Sequence, residues 1–366
     1  VIRGALRLGL VLVVALAVSA TLAVAAVPDG PRLAIVRSFP YPKDLTEIAT
    51  VNPVGGALQT VARDEYEDPL AVGIVGSHPA FSPDGSLIAF SGSPVVKAGE
   101  EPESPVVSVV GVDGTGLRAL RGTYTEGAPI FAPDGHTIAF PTLKVLSGHF
   151  ERLGRVPSEE KLDVVVGIRS VDTEGGAQRM VTPWRRRVTL QPSSYSPDGS
   201  TLAATALSFD SPVRAVAVRL DGSGSTLLAK NAIEPVYSPD GSRIAFIRVH
   251  SHLRHLPRHR RRWIQHRDLY VMRADGSGLT RLTRSPGTLE EWPSWDPSSE
   301  RIAFTSYRMP PPRQLVPTTG DTAVMQINAD GTCLTKVLTS SGRESINGAA
   351  WQPGPGRGAG PIECGG

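Results

Sequence analysis

The 366-residue chain holds only two cysteines, Cys333 and Cys364, and neither lies near the N-terminus. A lipid-anchored cleavage site, which needs a cysteine beside the targeting segment, is thereby excluded. Charge of one sign is lacking too. Lys and Arg number 38 against 35 Asp and Glu, a formal balance of +3 to which Arg3 and Arg7 contribute. A chain so near neutrality sets up no global field to steer it to nucleic acid, and no nucleic-acid partner is expected. Long apolar runs are absent except for one, Leu8 to Val27, about 20 residues and long enough to cross a bilayer. Arg3 and Arg7 precede it and Ala23-Val24-Ala25 supplies small residues at its end. Residues 1–27 therefore read as a signal peptide cleaved near Ala25 or Ala26, with an uncleaved anchor through residues 5–27 as the alternative. Either way the folded part is expected to be exported: periplasmic, extracellular, or tethered with the fold outside.

What is plentiful is Gly and Pro, 38 and 32 residues, as suits many short strands joined by turns. They recur in a fixed setting. An aromatic residue precedes a proline-centred turn at Phe81-Ser-Pro-Asp-Gly, Phe131-Ala-Pro-Asp-Gly, Tyr195-Ser-Pro-Asp-Gly, Tyr237-Ser-Pro-Asp-Gly, Trp295-Asp-Pro-Ser-Ser and Trp351-Gln-Pro-Gly-Pro. Short apolar strands follow the turns, as in Leu87-Ile-Ala-Phe90 and Arg243-Ile-Ala-Phe246. Pro presets φ, Asp tolerates the next position and Gly takes the positive φ that closes the turn. A second hairpin comes after each, turning at Asp113-Gly114, Glu174-Gly175, Asp221-Gly222, Asp275-Gly276 and Asp330-Gly331. Two hairpins per repeat make a four-stranded antiparallel sheet, and a ring of such sheets is a β-propeller.

The expected fold is all-β, with six four-stranded blades. Arg32-Leu-Ala-Ile-Val36 and a hairpin at Gly55-Gly56 supply three strands, which would join the strand ending at Trp351 and close the ring. The units Tyr237-Ser-Pro-Asp-Gly-Ser-Arg-Ile-Ala-Phe246 and Asp268-Leu-Tyr-Val-Met-Arg-Ala-Asp-Gly-Ser-Gly-Leu-Thr-Arg-Leu282 resemble the Pro-Asp repeats of TolB-like six-bladed propellers. The resemblance covers roughly residues 32–354. TolB itself carries an α/β domain ahead of its propeller, and here propeller strands follow the targeting segment directly. The resemblance implies binding of cell-envelope proteins. The domains read as residues 1–27 for targeting, 28–354 for the propeller and 355–366 for a Pro/Gly-rich tail.

Strand order sends the Pro-Asp-Gly and outer Asp-Gly turns to one face. The connections between second and third strands, and between blades, go to the other. Every long insertion falls on this second face: Ser91 to Pro105, Pro141 to Leu162, Ile247 to Arg267 and Thr305 to Asp321. Long loops on a rigid scaffold are where binding resides. The most distinctive runs from His250 to His266, with five of the eight histidines and Arg254, Arg258, Arg260, Arg261 and Arg262. Solvated loop is its plainest reading. An anion patch, extended by Arg185, Arg186 and Arg187, is the functional one. His250/His252 or His252/His255 are close enough to chelate, but the guanidiniums oppose a cation, so no metal or cofactor is expected. Acidic stretches from Asp64 to Asp68 and at Glu100, Glu101 and Glu103 read as solvated surface. The turn aspartates Asp84, Asp134, Asp198 and Asp240 serve the turns, and the aromatic stripe packs blade on blade.

In an exported chain Cys333 and Cys364 are expected to pair, with two free thiols as the alternative. Cys333 follows a turn of the fifth blade, and the tail after Trp351 is long enough to reach it. No Gly-x-Ser-x-Gly occurs, which argues against a serine hydrolase of the kind that joins a propeller to an α/β domain. The function expected is non-enzymatic binding of a protein or an anionic envelope polymer by the loop-rich face. A hydrolase or lyase with its site at the axial mouth, or a tethered sensor ectodomain, is the alternative.

Overall fold

The computed structural model describes residues 30–39, 45–65, 78–92, 105–125, 127–147, 163–208, 211–256, 260–308, 322–341, 344–354 and 360–364. The targeting segment 1–27, Arg258, the acidic residues Glu67, Asp68, Glu100, Glu101 and Glu103, and most of the remaining insertions lie outside these residues. Among the described residues no helix is long and apolar enough to cross a membrane.

Among the described residues, twenty-four strands form six four-stranded sheets. β1 (Leu33–Phe39), β2 (Leu45–Val51) and β3 (Gln59–Glu65) belong to the last blade, completed by β24 (Ser345–Trp351). β4 (Ala80–Phe81), β5 (Leu87–Gly92), β6 (Val106–Gly111) and β7 (Arg118–Tyr124) make the first. The second holds β8 (Ile130–Phe131), β9 (Thr137–Ser147), β10 (Asp163–Asp172) and β11 (Arg179–Arg186). The third holds β12 (Val188–Tyr195), β13 (Thr201–Ser208), β14 (Ser211–Arg219) and β15 (Ser225–Lys230). In the fourth are β16 (Ala232–Tyr237), β17 (Arg243–Leu256), β18 (Arg260–Arg273) and β19 (Thr280–Arg281). β20 (Thr288–Trp295), β21 (Arg301–Arg308), β22 (Thr322–Asn328) and β23 (Thr335–Thr339) form the fifth. The all-β six-bladed ring expected from the repeats is the fold observed.

Period-2 alternation explains how the blades stack. In β17, Ile244 and Phe246 face the third blade, beside Ala215 and Ala229, while Ala245 and Ile247 face the fifth. The same division recurs in β9, with Ile138 and Phe140 toward the first blade and Ala139 toward the third. Each Ile-Ala-Phe strand thus presents large side chains to the blade before it and a shallow alanine to the blade after it. Burying each such large residue contributes about 1.5–3 kcal/mol. The motif aromatics Phe81, Phe131, Trp295 and Trp351 are buried in these clusters, one to a cluster.

The ring closes as the sequence indicated. β1 pairs with β24, Leu33 opposite Trp351, and Ile35 packs with Val324 and Ala303 of the fifth blade. Gln352 Nε2 then donates to the Gly85 carbonyl of the first blade at 2.8 Å. Gly85 admits no other residue. Its φ is +73°, and a Cβ there would stand 2.4 Å from the Pro353 carbonyl oxygen.

Turn chemistry accounts for the Pro-Asp-Gly aspartates. Asp84 Oδ1 accepts the Ser86 amide at 3.0 Å and the Ser82 hydroxyl. Hydrogen bonding from Ser82, then from Ser86, holds its carboxyl below the usual range.

The segment Ile247 to Arg267 departs from expectation. Its described residues are strand: β17 and β18, 14 residues each, pair without a break from Arg243↔Arg273 to Leu256↔Arg260. Against the 8 residues of β13, six extra residues carry the hairpin roughly 20 Å further. Two arms of equal length let alternate residues exchange backbone bonds all along the ladder, and that outweighs the weak strand preference of its charged residues. Pro141 to Ser147, likewise read as insertion, extends β9.

Candidate functional site

The innermost strands surround an axial cavity of about 490 Å³. Its wall is set by the repeat. Three residues before the motif aromatic, successive blades place His78, Ala128, Pro192, Glu234, Trp292 and Gly348. The first five line the cavity, with the motif aromatics and the turn prolines below them.

Backbone geometry singles out two of these positions. Glu234 has φ 55° and Trp292 φ 59°, both in the left-handed region that costs an L-residue energy. Each sits in a bulge of its inner strand, between Ile233 and Val236 and between Glu291 and Ser294. Gly348 takes φ 63° at the same place in the last blade, where glycine carries no such penalty. A Cβ on Gly348 would stand 2.9 Å from Pro79 Cδ and 3.2 Å from His78 Cα. The missing side chain therefore leaves room for the fifth blade to meet the first. Trp292 and His78 pack edge to face there, ring centroids 5.0 Å apart.

Glu234 ties three blades together. Its amide donates to Thr205 Oγ1 of the third blade at 2.8 Å, and its Oε2 accepts the Trp292 amide of the fifth at 2.5 Å. Burial pushes its carboxyl up to about 7, against the pull of the Trp292 amide and the Arg267 guanidinium. Arg267 is ion-paired with Glu291, which also accepts the Tyr307 hydroxyl at 2.9 Å. Burial drives His78 down to about 4, so the ring is neutral near pH 7; its Nδ1 bonds to the Pro79 carbonyl at 2.7 Å. The site combines a half-buried carboxylate, a neutral imidazole and an indole on an apolar wall.

No domain-family profile matches the chain. The Tol-Pal system protein TolB of Anaeromyxobacter dehalogenans strain 2CP-C is 32% identical over 126 residues, 34% of this chain. The match spans a quarter of that relative's length. The crystal structure of TolB from Acinetobacter baumannii superposes with a TM-score of 0.60 at 18% identity, covering 88% of this chain and 67% of that one. A putative TolB from Agrobacterium tumefaciens gives 0.53 at 17% identity, covering 88% and 98%. The fold is a TolB-like propeller.

On this TolB-like frame the residues singled out from sequence are dispersed. Arg185 and Arg186 end β11 and, with Arg187 at φ 61°, lie exposed between the second and third blades. Arg254 stands opposite Arg262, His255 opposite Arg261 and Leu256 opposite Arg260, out along the fourth-blade hairpin. Cys333 and Cys364 are bonded, Cα atoms 5.2 Å apart. The tail residues beside Cys364 also dock on the fifth blade, where Asn328 Nδ2 donates to the Ile362 carbonyl at 3.0 Å and receives the Ile362 amide on Oδ1.

A second polar group lies where the hairpin leaves the blade. His250 and His266 are directly paired across β17 and β18, their rings stacked at 4.8 Å. Both Nε2 atoms face Asp268 Oδ2, at 3.3 and 3.5 Å, and Arg281 reaches the same oxygen at 2.7 Å. His250 thus meets His266 and Asp268. Nearby Glu290 is buried and accepts the Leu269 amide at 2.9 Å, and burial pushes it up to about 7.

Proposed function

We propose that this chain is an exported, non-enzymatic propeller that binds a protein of the cell envelope. A partner segment lies over the loop-rich face and reaches into the axial mouth. One observation carries the reading. Glu234 and Trp292 occupy left-handed bulges where Gly348, at the equivalent position, shows that glycine would serve the fold without strain. Strain kept at such positions belongs with side chains retained for what they contact. Likeness to TolB, a protein named for the Tol-Pal system, supports a protein partner. An anionic polymer fits the mouth less well, because Glu234 and Glu291 bring two carboxylates against one guanidinium, Arg267. Such a polymer would suit the arginines of the fourth-blade hairpin instead.

A photo-crosslinking residue at Trp292, compared with one at Ser223 on the opposite face, tests this. Envelope extract should yield a discrete adduct from position 292 alone, weakened by Glu234→Ala. Equal adducts from both positions, or none, would count against it.

The enzymatic alternative rests on Glu234 as well. A carboxyl near 7 in the same cavity as a neutral histidine suits general acid–base work. It requires turnover of a peptide or polysaccharide that Glu234→Gln abolishes while binding survives. A tethered sensor requires mature protein that retains residues 5–27, which mass analysis of the N-terminus reads directly.

A further inference from the structure

We infer that His250, His266 and Asp268 form a site for a divalent transition metal, which staples the long hairpin where it leaves the fourth blade. Three ligand atoms, one ring nitrogen of each histidine and a carboxylate oxygen, lie within 4.8 Å of one another. Asp268 Oδ2 stands 3.3 and 3.5 Å from the two nitrogens. Around a four-coordinate ion with bonds of about 2.0–2.1 Å, neighbouring ligand atoms stand roughly 3.3–3.4 Å apart. The carboxylate–imidazole edges already have that length. The two rings are nearly parallel, so closing on one ion needs a rotation of each about its Cβ–Cγ bond.

The donor set decides the metal. Two imidazoles and one carboxylate suit zinc, nickel or copper(II), whereas calcium and magnesium call for oxygen ligands throughout. Asp268 is fully buried and held from behind, Oδ1 by the Ser285 amide at 3.3 Å and Oδ2 by Arg281. Such outer contacts orient a ligand before the ion arrives. Both histidines are partly exposed, which leaves water to complete the coordination. Arg281, and Arg248 stacked over Tyr270 at 5.0 Å, bring opposing positive charge and weaken the hold on a cation. Because His250 and His266 come from directly paired positions on opposite strands, the ion would cross-link the two arms at the hairpin's base.

Calorimetric titration of the full chain with zinc or nickel chloride tests the site, and cobalt(II) absorption reports its geometry. The expected result is one ion per chain with a micromolar midpoint. Intense visible bands of a low-coordinate nitrogen–oxygen site should appear with cobalt. His250→Ala and His266→Gln should each weaken binding about tenfold or more. A variant with His252, His255 and His259 all changed to Ala should bind as the parent does. Melting in EDTA checks that the variants remain folded. The assignment is overturned by absence of saturable one-ion binding up to about 1 mM. It also falls if affinity is lost with the three outer histidines and kept in the His250 and His266 variants.

Discussion

Replacing Glu234 by Gln should flatten the pH dependence of stability. The carboxyl titrates near 7 in the folded chain and near 4.5 when unfolded. Below pH 4.5 both forms carry the proton and the site costs nothing. Between the two values the unfolded chain ionises first, so stability falls as pH rises and stops falling once pH passes 7. A separation of about 2.5 units corresponds to roughly 3.4 kcal/mol. Partial contact with solvent in the cavity reduces that to about 2 kcal/mol. Glu290, also raised to about 7 by burial, adds a loss of the same sign. Wild-type protein should therefore lose several kcal/mol between pH 5 and 8, and Glu234→Gln about 2 kcal/mol less. At an unfolding entropy of about 2.1 cal/mol/K per residue, 2 kcal/mol amounts to roughly 3 °C in Tm. Urea titrations at the two pH values measure the difference. Parallel curves for the two proteins would refute the reasoning, because they would mean the carboxyl is already ionised at pH 5. Glu234→Gly goes further: release of the left-handed strain should add about 1 kcal/mol over Glu234→Gln at both pH values while weakening the partner adduct.

Other outcomes follow from the same geometry. Changing Cys333 and Cys364 to Ser opens a closure of 31 residues that spans β23 and β24, worth about 3.5 kcal/mol in the chain-entropy model; a urea midpoint identical to that of the oxidised parent would contradict this. Gly348→Ala should cost about 2–4 kcal/mol, since its Cβ meets Pro79 at 2.9 Å, whereas Gly222→Ala, with open space around it, should cost about 1 kcal/mol in denaturant melts. If the hairpin arginines bind an anion, replacing Arg254, Arg258, Arg260, Arg261 and Arg262 with Ser should abolish retention on anionic vesicles or polymer. Retention by the parent should fall steeply above about 0.1 M salt, where the Debye length is near 10 Å, and salt-insensitive retention would return the segment to plain solvated surface.

How far the sequence could be read depends on how local each cause is. A Pro-Asp-Gly turn is settled within five residues, and the Ile-Ala-Phe alternation within four. Closure by Leu33–Val36 was legible for the same reason, because that segment matches the Arg-Ile-Ala-Phe position and lacks its own turn. The His/Arg segment reads as loop by its charge, whereas its length is that of a hairpin. Its two arms match residue for residue, and only that match sets His250 opposite His266 and brings both to Asp268. Pairing across a ladder is a long-range fact that a short motif does not contain.

The axial mouth is foreseen only as an alternative place for a site, and its residues are not legible for a different reason. His78 and Trp292 lie in the first and fifth blades, and they meet only because the ring has six members and Gly348 stands aside between them. A signal was nonetheless present. With the repeats aligned on their aromatics, one position alternates among His, Ala, Pro, Glu, Trp and Gly, while the two positions that follow it hold to Pro, Ser, Ala and aliphatic residues. Positions that serve the fold repeat, because every blade poses the same packing problem. A position that changes chemistry from blade to blade while facing the axis is under no common structural demand. Those are the positions where one blade can be given a different task from the next.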